Sequence, residues 1–147
     1  MSKDHPPLLS PGLHPMTMRE VYQVCVEPFN SPEHREYLYG RLESFFAHLT
    51  QLGLDYRAWL DGSFLSEKPE PADIDLVIIC REAHINSLSP GVQDALVDIF
   101  SRYRKDTKLR YGCDVYLMIA GDSQREQYWR DLFGSDRSGS SKGIIEV

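Results

Sequence analysis

Apolar residues along this chain follow two different spacings. From Leu38 they recur at steps of three and four through Leu42, Phe45, Phe46, Leu49 and Leu52. That is the period of a helix with one buried face. Ser31-Pro32 ahead of the run predicts an N-cap followed by proline at the first helical position, and Gly53 predicts the stop. A shorter helix is expected over residues 17–25, opened by the capping box Thr17-Met18-Arg19-Glu20 and ended by Pro28. Val92, Leu96, Ile99, Phe100 and Tyr103 predict a third helix, from Ser89-Pro90 to about residue 105. Ser123-Gln124-Arg125-Glu126 has the form of a capping box, opening a fourth that runs to Phe133 and stops at Gly134.

Between the helices the spacing shortens. Residues 55–60 (DYRAWL), 73–80 (DIDLVIIC) and 113–120 (CDVYLMIA) are β-branched or aromatic runs and predict strands. The interior of the second is apolar on both faces, which predicts a central position in a sheet. The third reads as another buried strand, and residues 144–147 as a short edge strand. Pro6, Pro7, Pro11 and Pro15 make residues 1–16 an irregular arm, leaving 17–147 as one domain. The expected fold class is α/β (α+β): a small mixed, twisted sheet with helices packed mainly on one face.

Composition narrows the classes of function. The chain has 147 residues, 41% hydrophobic and 26% charged, which excludes a disordered or disulfide-stapled chain. Sixteen basic residues against 22 acidic give a net charge of −6, a sign that repels a polyanion and argues against a duplex nucleic acid partner. No apolar run approaches the roughly 20 residues of a membrane span, and the first residues lack an apolar leader. Cys25, Cys80 and Cys113 show no CxxC spacing. They read as reduced, mostly buried thiols in a cytoplasmic protein.

Asp73 and Asp75 then stand out, because strand interiors disfavour aspartate. Residues two apart face the same side, so both carboxylates project together. Asp114 interrupts the next strand pattern in the same way. If the two strands are neighbours, three carboxylates converge. Two like charges about 4 Å apart repel by roughly 4 kcal/mol at an effective dielectric near 20, so such a group calls for protonation or a divalent cation. Oxygen-only ligation favours Mg²⁺ or Mn²⁺. Gly62 allows close backbone approach, and the amides and hydroxyl around Ser63 suit a phosphate. Arg102, Arg104, Lys105, Lys108 and Arg110 read first as cations complementing a helix C-terminus, and second as contacts for a triphosphate or acceptor. The five histidines show no ligand spacing, Trp59 and Trp129 read as core or interface aromatics, and Phe64 reads as core ahead of a nucleobase contact.

Leu60-Asp61-Gly62-Ser63, then nine residues, then Asp73-Ile74-Asp75-Leu76 resembles the signature of the DNA polymerase β-type nucleotidyltransferase superfamily. Cys113-Asp114-Val115 is similar to that superfamily's third carboxylate segment. The longer run from Trp59 to Val77, and the ending with Phe133-Gly134, Asp136-Arg137 and Lys142-Gly143-Ile144, resembles small single-domain bacterial and phage members. The resemblance implies that Gly62 and Ser63 bind a nucleoside triphosphate, with Lys68, Arg137 and Lys142 as further phosphate contacts. It implies that Asp73 and Asp75 hold two metal ions, and that Asp114 holds the catalytic one and helps activate an acceptor hydroxyl. The implied reaction moves a nucleoside monophosphate, from ATP by default, to that hydroxyl and releases pyrophosphate. Members of this superfamily usually carry a further domain gripping nucleobase or acceptor, and this chain has only the core. Selection would then come from a protein partner or from self-association. An antitoxin or regulatory protein, or a nucleotide-binding module without catalysis, are the alternative readings.

Overall fold

Five strands form one mixed sheet in the computed structural model, which describes residues 5–135 and 142–147. They are β1 (Gly12–Pro15), β2 (Arg57–Asp61), β3 (Ile74–Cys80), β4 (Cys113–Ile119) and β5 (Gly143–Glu146), in the spatial order β1-β5-β2-β3-β4. β3 runs antiparallel to β2 and parallel to β4, while β5 runs antiparallel to β2 and parallel to β1. The helices are α1 (Met18–Cys25), α2 (Glu33–Gln51), α3 (Glu82–Ser87), α4 (Pro90–Val97), α5 (Arg104–Tyr111) and α6 (Ser123–Phe133). Among the described residues no helix is long and apolar enough to cross a membrane.

The alternation of β3 divides the core. Ile74, Leu76, Ile78 and Cys80 face the larger cluster, where Leu38, Leu42, Phe45 and Leu49 of α2 meet Val21 and Cys25 of α1. Val77 and Ile79 face the opposite side, where Trp59, Met118 and Ile144 pack under Trp129 and Phe133 of α6. Most helices therefore cover one face, and α6 covers the other. All three cysteines are free and buried.

Several elements depart from the expectations. Residues 12–15 of the arm form a strand, its Leu13 paired with Ile144, at an edge where proline is tolerated. The last strand lies inside the sheet rather than at its edge, because Ile144 and Ile145 fill opposite faces. β1 and β4 are the edge strands instead, and Asp114, Tyr116, Leu117 and Ile119 of β4 are partly open. The third helix does not end near residue 105. A π-helical turn over Asp98–Arg102, with Tyr103 N–H donating to the Asp98 carbonyl, breaks the ladder. α5 then starts on a new line and sets Tyr111 against Phe45 of α2, ring centres 5.3 Å apart. α1 begins as expected, Thr17 and Glu20 capping each other reciprocally. α2 begins after Pro32 without a side-chain cap, so Ser31 does not serve as one. For α6 the capping oxygen belongs to Asp122, not Ser123.

Candidate functional site

Strand register assembles the acidic residues. Asp75 on β3 pairs with Asp61 on β2 and with Asp114 on β4. Directly paired residues share a sheet face, so the three carboxylates stand in one cross-strand row. Asp73 lies just before β3, two residues from Asp75, and joins the row from the same side. Trp59, Val77 and Tyr116 form the next row on that face. The acidic row therefore ends the strands at the margin of the smaller core.

Each flanking carboxylate has its own cation. Lys108 Nζ lies 3.0 Å from Asp73 Oδ2, and Lys142 Nζ lies 3.1 Å from Asp61 Oδ2. Arg104 Nη2 donates to Asp114 Oδ1, with its guanidinium 4.1 Å above the centre of the Tyr116 ring. The Tyr116 hydroxyl donates to Asp114 Oδ2 at 3.3 Å. Asp75, at the centre, makes no side-chain hydrogen bond or ion pair among the described residues. Burial first, then the charges of Asp73 and Asp114, push the Asp75 carboxyl up to about 6, against the pull of Lys142 and Lys108. Burial pushes Asp61 up to about 7, although Lys142 opposes it. Here desolvation outweighs a contact ion pair. The hydrogen bond to Asp73 is the main cause that raises Lys108.

The Gly62-Ser63 turn lies directly against this row. Gly62 has φ +90°, and a Cβ there would come 2.7 Å from Asp75 Oδ2. Only glycine lets the backbone pass this close to the carboxylate. Ser63 opens a short 3₁₀ turn, Ser63–Leu65, and its hydroxyl makes no hydrogen bond among the described residues. Lys68 contributes its carbonyl to Arg35, while its ammonium forms no ion pair among the described residues and is not brought to the row. Arg137 lies outside the described residues. Of the basic cluster, Arg104, Lys105, Lys108 and Arg110 lie on a helix of their own rather than beyond one, which is how Arg104 and Lys108 reach the carboxylates, while Arg102 lies in the π-helical turn and pairs with Asp94 and Asp98.

The donor set suits a hard divalent ion in identity and register. Its side chains are not yet gathered: among the described residues, no three His, Cys, Asp or Glu side chains form a group that could hold an ion as they stand. Arg104 and Lys108 draw Asp114 and Asp73 to themselves, so a metal must replace one of these cations to enter.

Two residues of the site escaped the sequence reading. Asp61 reads as a turn residue in the sequence, yet it closes β2, is 3% exposed, and leaves Oδ1 without a partner among the described residues. Arg35 is fully buried. Its Nη1 donates to the carbonyls of Cys25 and Phe64, and its Nη2 to those of Ser63, Ser66 and Lys68. The guanidinium sits 3.8 Å over the Phe29 ring. A signal existed, since residue 35 extends the stripe of Leu38, Leu42, Phe45 and Leu49 by one helical step.

Comparison with curated proteins and with solved structures finds no match. Across residues 1–147, its full length, the chain matches and belongs to the family described as "Family of unknown function (DUF6932)".

Proposed function

We propose that this chain is a metal-dependent nucleotidyltransferase with a polymerase β-like core. It moves a nucleoside monophosphate from a nucleoside triphosphate, ATP by default, to a hydroxyl acceptor in a cytoplasmic setting. The observation that carries the reading is the position of Asp75. It has carboxylates on both neighbouring strands and lies against a glycine that leaves no room for a side chain.

Asp73, Asp75 and Asp114 would hold Mg²⁺ or Mn²⁺, which when bound neutralises the carboxylates and polarises the phosphoryl oxygens. Gly62 admits the phosphates to the row, and the Ser63 hydroxyl offers a donor. Lys142 and Lys108 supply positive charge at its two sides. Asp114, on the edge strand, accepts the proton of the acceptor hydroxyl. A groove of about 560 Å³, lined in part by Phe100, Arg104, Tyr116, Leu117 and Trp129, shares Arg104 and Tyr116 with Asp114 and gives an acceptor room. That acceptor belongs to a protein partner, a toxin in the antitoxin reading, or to a second copy of the chain.

The test is label transfer from α-labelled NTPs to candidate acceptors in manganese. Asp75→Asn and Asp73→Asn should abolish labelling while the fold persists. Equal labelling by wild type and both variants would remove the assignment. A second reading, a nucleotide-binding module without catalysis, is favoured by the ion pairs that neutralise Asp114 and Asp73 without any metal. Calorimetry separates the two. Nucleotide binding that persists without metal and in Asp114→Ala, with no turnover, selects the module.

A further inference from the structure

The three ion pairs of the row differ in burial. The Lys108–Asp73 and Arg104–Asp114 pairs are open to water, with side chains 49% and 23%, and 34% and 23%, exposed. Such cations exchange partners at little cost. The Lys142–Asp61 pair is enclosed, at 20% and 4%. Asp61 cannot turn to solvent, and its Oδ1 has no partner among the described residues. A buried carboxylate with one free oxygen has strong reason to keep its single cation. Lys142 is also tied through its backbone, its N–H donating to the Gly134 carbonyl at 2.8 Å, and it immediately precedes β5. Its ammonium therefore has a fixed place beside Asp61, which pairs with Asp75 across the sheet and leads into the Gly62-Ser63 turn.

We propose that Asp61 is a positioning residue, holding the Lys142 ammonium where a bound triphosphate meets the carboxylate row. This deepens the nucleotidyltransferase reading and rests on it for the ligand class. Asp61 is not itself a ligand of metal or phosphate. Its contribution is to keep one Lys142 rotamer and to leave the remaining ammonium protons for phosphate oxygens. The side chain acts through Lys142 alone, and the two substitutions should therefore not add.

Calorimetric titration with inorganic tripolyphosphate in magnesium tests this on wild type, Asp61→Asn, Lys142→Met and the double variant. Lys142→Met should weaken binding about tenfold or more, the loss of one charge-assisted contact. Asp61→Asn should weaken it by a smaller factor, and the double variant should match Lys142→Met alone. Asp61→Glu keeps the buried charge but shifts the ammonium by about one methylene, and it too should weaken binding by a smaller factor than Lys142→Met, so a folding defect in Asp61→Asn would not remove the test. Equal binding by all four proteins, additive losses, or no binding by wild type would overturn the assignment. Label transfer is read separately. Its absence alongside the expected binding pattern would remove the catalytic reading and leave the Asp61–Lys142 assignment in place.

Discussion

Arg35 and the acidic row both border the loop between β2 and β3, yet they treat charge in opposite ways. The guanidinium is sealed in the core with five carbonyl oxygens and an aromatic ring face, and among the described residues no carboxylate touches it. Four of those carbonyls belong to Ser63, Phe64, Ser66 and Lys68, so Arg35 fixes the loop that carries the Gly62-Ser63 turn. Burial lowers its pKa to about 10, which still leaves it charged at neutral pH. The acidic row is less complete. Like charges stand on adjacent strands, and the central one has no counterion among the described residues. Charge serving architecture is held by many hydrogen bonds, as at Arg35, where both Nη atoms are engaged and only Nε lacks a partner among the described residues. Charge left partly unsatisfied costs stability and points to a ligand that completes it.

The contrast can be broken at its strongest point first. Arg35→Met should destabilise the protein by about 3–5 kcal/mol in urea unfolding, because several buried carbonyls lose their donors together. Arg35→Lys should recover only part of this, since one ammonium cannot span the same carbonyls. Gly62→Ala comes next. It imposes both a positive φ and a clash with Asp75, and should cost about 1–3 kcal/mol while eliminating label transfer.

Removing charge from the row should have the opposite sign. Asp75 and Asp61 have carboxyls raised in the folded state, to about 6 and about 7. Their contribution to stability is fully present below the unfolded carboxylate range near pH 4, and is lost as pH rises through the folded values. Metal-free wild type should therefore lose stability between about pH 4 and pH 7. Asp75→Asn should be more stable than wild type at pH 8, by about 1 kcal/mol after allowance for its partial exposure, with the advantage vanishing near pH 4. Thermal unfolding across that range, with and without magnesium, checks both sign and window. Arg81→Ala should have the smallest effect. It removes an ion pair exposed by more than two thirds on both sides, far from either region in character, and should leave the unfolding midpoint unchanged.

How far the sequence discloses this arrangement depends on the range of the forces involved. β3 announces itself because a β-branched run is a local property, and its two aspartates conflict with that run where they stand. Asp114 can be paired with them only by register, which the parallel match of Asp75 with Asp114 supplies. Asp61 is harder to recognise. Aspartate before Gly-Ser is ordinary turn chemistry, and only the packing of β2 and Lys142 makes it a buried charge. Arg35 is hidden for a related reason: its partners are backbone carbonyls, which every residue carries and no sequence pattern marks. The π-helical turn that lets α5 bring Arg104 and Lys108 to the row is equally silent, since Ile99, Phe100 and Tyr103 continue a helical period straight through it.

One consequence follows from the place of β5. The last strand of the sheet to be synthesised is an interior one, and β1 pairs with it alone among the strands. On the ribosome β2 can meet β3 and α2 early, yet its other edge stays unzipped until Gly143–Glu146 has left the exit tunnel. Throughout that interval the nascent chain presents an unpaired strand border of the kind that invites wrong pairing. In the finished protein, loss of the β5 pairing would also leave β1 without its strand partner and release the backbone that holds Lys142 beside Asp61.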